Sequence, residues 1–192
     1  MKMLNDKENE GIKVLGIIGS PRKSGNTAQL VEEVLDGARE RGARVKKVFL
    51  GQLKFRPCIA CNTCKTKGAC IHRDDMQSLL SQIEVSDICV LGTPVFFWGP
   101  TAQFKIFTDR LYGARHVMKG KRIIIVIPFE DKRQSTARHL VGMLKETFTW
   151  LQAQIIDIIL APGVLNPGEI ANYPEVLMSA RCAGRVAAAI EY

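Results

Sequence analysis

No apolar run in this 192-residue sequence approaches the roughly 20 residues that a membrane-spanning helix needs, so no such span is predicted. The stretch from Met1 to Lys13 is polar and mixed in charge, and it lacks the apolar core of a secretory signal. Residues 1–12 are predicted to form a flexible tail ahead of one domain over 13–192, and the expected location is the reducing cytoplasm. Two common nucleotide motifs are also missing. Gly16, Gly19 and Gly25 do not make a G-x-G-x-x-G fingerprint, and Asn26-Thr27 stands where a Walker A loop needs Lys-Ser/Thr. There is no Ser/His/Asp set, no paired-carboxylate arrangement, no internal repeat and no low-complexity linker. The 27 basic residues against 19 acidic ones favour acidic partners. They are spread along the chain without interleaved aromatics, which argues against nucleic acid.

What is present is an alternation of two patterns. Apolar, branched runs recur at Val14–Ile18, Val45–Leu50, Ile88–Leu91, Ile123–Ile127 and Ile155–Leu160, as buried parallel strands do. Between them, Leu30, Val31, Val34, Leu35 and Ala38 share one helical face, as do Phe104, Phe107 and Leu111, and Leu140, Met143, Leu144 and Phe148. A last helix is predicted from Pro174 toward Ile190. This order predicts an α/β fold with a flavodoxin-like, doubly wound, five-stranded parallel sheet in the order 2-1-3-4-5. Ligands of such sheets sit at the carboxyl ends of the strands, so the loops there carry the chemistry.

The first of these loops is Gly19-Ser-Pro-Arg-Lys-Ser-Gly-Asn-Thr27. Short polar side chains and glycines let backbone N–H groups converge at a helix N-terminus, a geometry suited to phosphate, and Arg22 can add charge. A plain polar turn capped by Ser24 or Asn26 is the alternative. After strand 3 comes Gly92-Thr-Pro-Val-Phe-Phe-Trp-Gly-Pro100, an apolar segment with a glycine that permits close approach. It suits either a flat aromatic ligand or a simple core.

These residues resemble the flavodoxin-like NAD(P)H-dependent FMN reductase superfamily, through Gly-Ser-Pro-Arg-x-x-Gly-Asn-Thr and Thr-Pro-Val-Phe followed by Lys105-x-Phe-x-Asp109-Arg110. The resemblance implies that Ser20, Arg22, Ser24, Gly25, Asn26 and Thr27 hold the FMN phosphate. It implies that Pro94, Val95, Phe96, Phe97, Trp98 and Gly99 lie along the isoalloxazine. Trp98 departs from the smaller residue usual there and is expected to narrow access to the ring. Asp109 and Arg110 are expected to pair with each other. Pro128 to Asp131, after strand 4, match the pattern poorly and are not assigned to the site.

Four of the six cysteines fall within thirteen residues, as C-x2-C-x2-C-x5-C at Cys58, Cys61, Cys64 and Cys70. They lie in a long connection, 51–75, after strand 2. Three occupants fit the spacing: a [4Fe–4S] cluster, a structural zinc, or none, with the thiols free. Two successive x2 gaps match the ferredoxin run, whereas four-cysteine zinc sites join two well-separated pairs. Inside an FMN fold the run is similar to that of the iron–sulfur flavoprotein family. That resemblance implies a [4Fe–4S] cluster beside FMN, a ferredoxin-like donor, and an acceptor such as oxygen, peroxide or a quinone. It also implies a homodimer or homotetramer. The second reading is an NAD(P)H-dependent FMN or quinone reductase without a cluster, and the third a zinc module for nucleic acid. Around the loop, Arg56, Lys65, Lys67 and Arg73 supply positive charge. His72 is expected at the surface, Asp74 and Asp75 are expected to cap the next helix, and Cys89 and Cys182 are expected to be buried and inert.

Overall fold

The computed structural model describes residues 11–189; most of the predicted tail, and Ile190 at the end of the last helix, lie outside them. Five parallel strands form one sheet in the order β2-β1-β3-β4-β5. They are β1 (Lys13–Ile18), β2 (Arg44–Phe49), β3 (Ile88–Gly92), β4 (Arg122–Phe129) and β5 (Gln154–Pro162). The five apolar runs are these strands, shifted by a residue or two at their ends. β3 and β4 are buried along their whole length, which is why neither shows polar alternation. β2 is an edge strand that pairs only with β1, and its exposed Lys46 and Lys47 guard that edge.

The described residues form seven α-helices: α1 (Asn26–Arg39), α2 (Thr63–Lys67), α3 (Met76–Glu84), α4 (Ala102–Arg110), α5 (Arg115–Met118), α6 (Arg138–Trp150) and α7 (Pro174–Ala189); all but the short, exposed α2 pack on the two faces of the sheet. Strand side chains alternate between two cores. Leu15, Ile17, Leu91 and Ile125 pack with Leu79, Phe104, Phe107, Leu144 and Phe148 from α3, α4 and α6. Val14, Ile18, Val90 and Val126 pack with Leu30, Val34 and Leu35 of α1 and Ala180 of α7. The helical faces foreseen in the sequence are therefore the buried ones. α1 and α7 approach closely because each presents a glycine. A Cβ on Gly37 would lie 1.9 Å from the Arg181 carbonyl oxygen, and one on Gly184 would lie 1.9 Å from that of Val34.

The chain leaves β1 for β2 on one side and reaches β3 on the other, so the switch point falls between β1 and β3. There the Gly19 amide donates to the Gly92 carbonyl at 2.7 Å, and Thr101 Oγ1 donates to the Gly19 carbonyl at 2.6 Å. These bonds tie the first loop to the segment after β3. Gly19 has no room for a side chain, since a Cβ would meet Phe104 at 2.7 Å.

Candidate functional site

Two concavities open on this frame. The smaller, about 140 Å³, lies at the carboxyl ends of the strands. Ser20, Arg22, Gly25 and Asn26 from the first loop line it with Pro94, Val95 and Phe96 from the loop after β3. Ser24, Thr27, Phe97, Trp98 and Gly99 do not line it. Thr27 is buried, with its methyl group where a Gly92 side chain would stand. Phe97 and Trp98 form the tip of a tight turn closed by Phe96 and Gly99, whose amides and carbonyls exchange bonds of 2.9 and 3.0 Å. Both tip residues have positive φ, a strained choice for aromatics, and Phe97 is 96% exposed.

Gly25 stands at the N-cap of α1, which has no side-chain cap and no acidic residue in its first turn. The Ala28 and Gln29 amides donate to the Gly25 carbonyl at 3.0 and 3.2 Å, and the amides ahead of them at the start of this 14-residue helix are free to meet an anion. Asn26 does not cap the helix. Its Nδ2 donates to the Asn166 carbonyl at 3.0 Å and its Oδ1 accepts from the Ile170 amide at 3.2 Å. Arg22 Nη1 likewise donates to the Leu165 carbonyl at 2.6 Å. These bonds bring Val164 and Leu165 to the cleft wall, beside Pro128, Phe129 and Glu130. The sequence reading missed all five. The position of Pro128–Glu130 at the carboxyl end of β4 was signal enough, whereas Val164 and Leu165 left none.

The wall segment is held by Glu169, whose carboxylate accepts from the amides of Leu165 and Asn166 and from the Asn166 side chain, at 2.7–2.9 Å. The Asn166 side chain foremost, then the two amides, hold its carboxyl below the ordinary value. With the folded value depressed, this stabilisation is present above the unfolded carboxylate value, about 4.3, and is lost as pH falls through the folded one. Glu169→Gln should therefore melt below the parent at neutral pH. The gap should narrow as the medium is acidified below the unfolded carboxylate value, as thermal melts across pH will show.

The larger concavity, about 670 Å³, is lined by all four clustered cysteines, Cys58, Cys61, Cys64 and Cys70. The loop that carries them is closed at its base. The Asp75 carboxylate accepts from the Lys54 amide at 2.7 Å, and that of Asp74 from the Arg56 amide at 3.0 Å. Arg110, the last residue of α4, clamps this base. Its Nη1 donates to the Arg56 carbonyl at 2.7 Å and to Asp74 at 2.8 Å, and its Nη2 reaches Asp74 at 3.1 Å. Burial pushes the Asp74 carboxyl up, but Arg110 and the Arg56 amide outweigh it and leave the group below its ordinary range. Arg110 thus pairs with Asp74 and not with its neighbour Asp109, which instead takes Lys105 at 2.5 Å. A helix turns adjacent side chains about 100° apart, which separates the two.

Within the loop, Ala60, Asn62 and Gly68 adopt positive φ and turn the chain around α2. The Thr63 hydroxyl and amide hold the Cys61 thiol below its ordinary value. Gly113, after α4, makes room for Cys64, since a Cβ there would meet that of Cys64 at 2.9 Å. Tyr112 and Trp150 stack at 5.4 Å on the cavity rim, with Lys65 5.6 Å from the first ring and Arg115 4.8 Å from the second.

Three expectations are corrected here. His72 is half-buried, lines the cavity and has its Nε2 buried, so it does not stand out in solvent. Cys182 is exposed, because it lies on the outer face of α7 with Met178 and Val186. Asp75 spends its carboxylate on Lys54 and does not cap α3, while Asp74 does accept from the Met76 amide at 3.2 Å. Cys89 is buried as expected, and its thiol is pushed up to about 12 by that burial.

The sequence pattern of the NADPH-dependent FMN reductase family matches residues 12–161. The chain belongs to this family. It is accordingly an FMN-dependent oxidoreductase, and its family places it in flavin-based electron transfer. It is 34% identical over 185 residues to an iron-sulfur flavoprotein of Archaeoglobus fulgidus, covering 94% of this chain and 81% of that one. A match to an iron-sulfur flavoprotein of Methanocaldococcus jannaschii is 42% identical but spans 52% of this chain and 51% of the other. Among solved structures, an NAD(P)H:quinone oxidoreductase from Methanothermobacter marburgensis superposes with a TM-score of 0.74 at 16% identity, over 95% of this chain and all of that one. A flavone reductase gives 0.73 at 22% identity, over 93% of this chain and 62% of the other. Both share the fold of this FMN reductase family member. Among the described residues no helix is long and apolar enough to cross a membrane.

Proposed function

We propose that this FMN reductase family member carries a [4Fe–4S] cluster on Cys58, Cys61, Cys64 and Cys70, and FMN in the cleft between the first loop and the loop after β3. The observation that carries this is the opening of all four cysteines onto one cavity, in a chain that matches an iron-sulfur flavoprotein over most of its length. Among the described residues no three His, Cys, Asp or Glu side chains converge on a point where one ion would sit. The two successive x2 gaps match the ferredoxin run, whereas four-cysteine zinc sites join two well-separated pairs, so the spacing favours the cluster. Arg110, beside Cys70, and the basic loop favour thiolates there.

When bound, the cluster supplies single-electron transfer and FMN converts it to two-electron chemistry, linking a ferredoxin-like donor to an acceptor such as oxygen, peroxide or a quinone. The chain's own residues bind and position. Ser20, Arg22, Gly25 and Asn26, which line the cleft, receive the phosphate at the uncapped start of α1, and Ser24 and Thr27 complete the loop beside them. An enclosed volume of about 140 Å³ suits that polar end of the cofactor and leaves the ring along Pro94 to Gly99. Arg56, Lys65, Lys67 and Arg73 draw an acidic carrier toward the cysteine loop. The protein acts as a homodimer or homotetramer.

Cys61→Ala tests the separation of the two sites. Anaerobically purified variant should lose its iron and the accompanying visible absorbance while keeping FMN at the parent's stoichiometry. Unchanged iron would remove Cys61 from the ligand set, and joint loss of FMN would mean that the loop also builds the flavin cleft.

A further inference from the structure

Among the described residues, two buried side-chain nitrogens have no hydrogen-bond partner: His72 Nε2 and Arg110 Nε. Both residues line the cavity of the four cysteines, and no other part of the described molecule leaves such an atom. A buried polar nitrogen without a partner is costly, so two beside one cavity call for a common explanation. The rest of Arg110 is fully engaged. Its Nη groups hold Asp74 and the Arg56 carbonyl, which fixes the guanidinium plane and leaves Nε facing no protein acceptor. Cys70 is the other group that acts on the guanidinium, through its charge and through a hydrogen bond with its thiol. His72 is fixed by its own backbone, whose carbonyl accepts from Gln77 Nε2. Gln77 Oε1 in turn accepts from the Asp74 amide at 2.8 Å, so His72 belongs to the same braced base as Arg110.

We propose that His72 and Arg110 donate these N–H groups to the sulfur atoms of the cluster held in the cavity, and so set its reduction potential. This rests on the proposed [4Fe–4S] site. Sulfur is the acceptor that the cavity offers, and each hydrogen bond to it offsets negative charge on the reduced form, which raises the potential. His72 and Arg110 are then positioning residues of the centre, not ligands, since four thiolates complete the set.

Arg110 is a poor first variant because it also closes the loop. His72→Phe removes the donor and keeps a flat ring, and His72→Gln restores an N–H. Each is purified anaerobically, counted for iron and FMN, and titrated potentiometrically with the cluster followed by electron paramagnetic resonance. With full iron, the Phe variant should titrate at a more negative potential than the parent and the Gln variant between the two. An unchanged potential at full iron overturns the proposal. So does loss of iron from the Phe variant, which would make His72 a determinant of assembly. A parent protein without iron removes the cluster itself, and the tuning role falls with it.

Discussion

Asp74→Ala is expected to destabilise the protein by about 3–5 kcal/mol, because it leaves Arg110 buried and unpaired. Side-chain exposures of 2% for Arg110 and 10% for Asp74 leave the guanidinium almost wholly shielded from water, where a lone charge is poorly compensated. In a chain of this size that corresponds to a fall in Tm of roughly 6–20 °C. A second effect should accompany the first. Asp74 also accepts from the Arg56 amide, so its removal loosens the base of the cysteine loop and leaves only the Asp75–Lys54 bonds and the Arg110–Arg56 bond to close it. Iron content should therefore fall with stability, although no cysteine has been touched. Asp74→Asn keeps an acceptor for the amide and should lie between parent and Ala in both measurements. A Tm unchanged in Asp74→Ala would show that the clamp contributes little.

The second large effect is expected far from both concavities. Gly184→Ala places a methyl group where the Val34 carbonyl already stands, and Gly37→Ala does the same against Arg181. Backbone atoms cannot rotate away as a side-chain tip can, so α1 and α7 must separate. Overpacking of this kind costs about 3 kcal/mol, more than the roughly 1 kcal/mol that alanine gains over glycine in a helix. Denaturant unfolding should show the loss, with the midpoint lowered and the slope unchanged. Because α1 also presents the loop proposed to hold the phosphate, FMN should bind more weakly to either variant. Neutral or stabilising behaviour would mean that the crossing is looser than described.

The parts of this fold that could be read from sequence are those set by short-range pattern. β3 and β4 are buried on both faces, so Ile88–Leu91 and Ile123–Ile127 read as unbroken apolar runs. Pro174 opens the last helix because its fixed φ suits a first turn. The loop 19–27 is contiguous, so its place beside the cleft at the end of β1 could be read, although Ser24 and Thr27 do not line that cleft. What escaped depends on distance in the chain. Arg110 meets Asp74 across 36 positions, and Asn26 reaches Asn166 and Ile170 across more than a hundred. No local pattern encodes either pairing. Cys182 shows the opposite failure. Its apolar neighbours suggested burial, but Met178 and Val186 share its exposed face of α7, so apolar company alone does not place a residue inside. His72 was obscured by the cysteines beside it, because its burial depends on how the whole loop folds back.

The four cysteines and the flavin loops make one prediction that needs no variant. Protein purified and handled without oxygen should be assayed for iron, acid-labile sulfide, zinc and FMN per chain. About four irons, about four sulfides and one FMN are expected, with no stoichiometric zinc. A yellow, iron-free protein that rapidly oxidises NADPH would contradict the cluster and leave a plain FMN reductase, and zinc without flavin would contradict both cofactors.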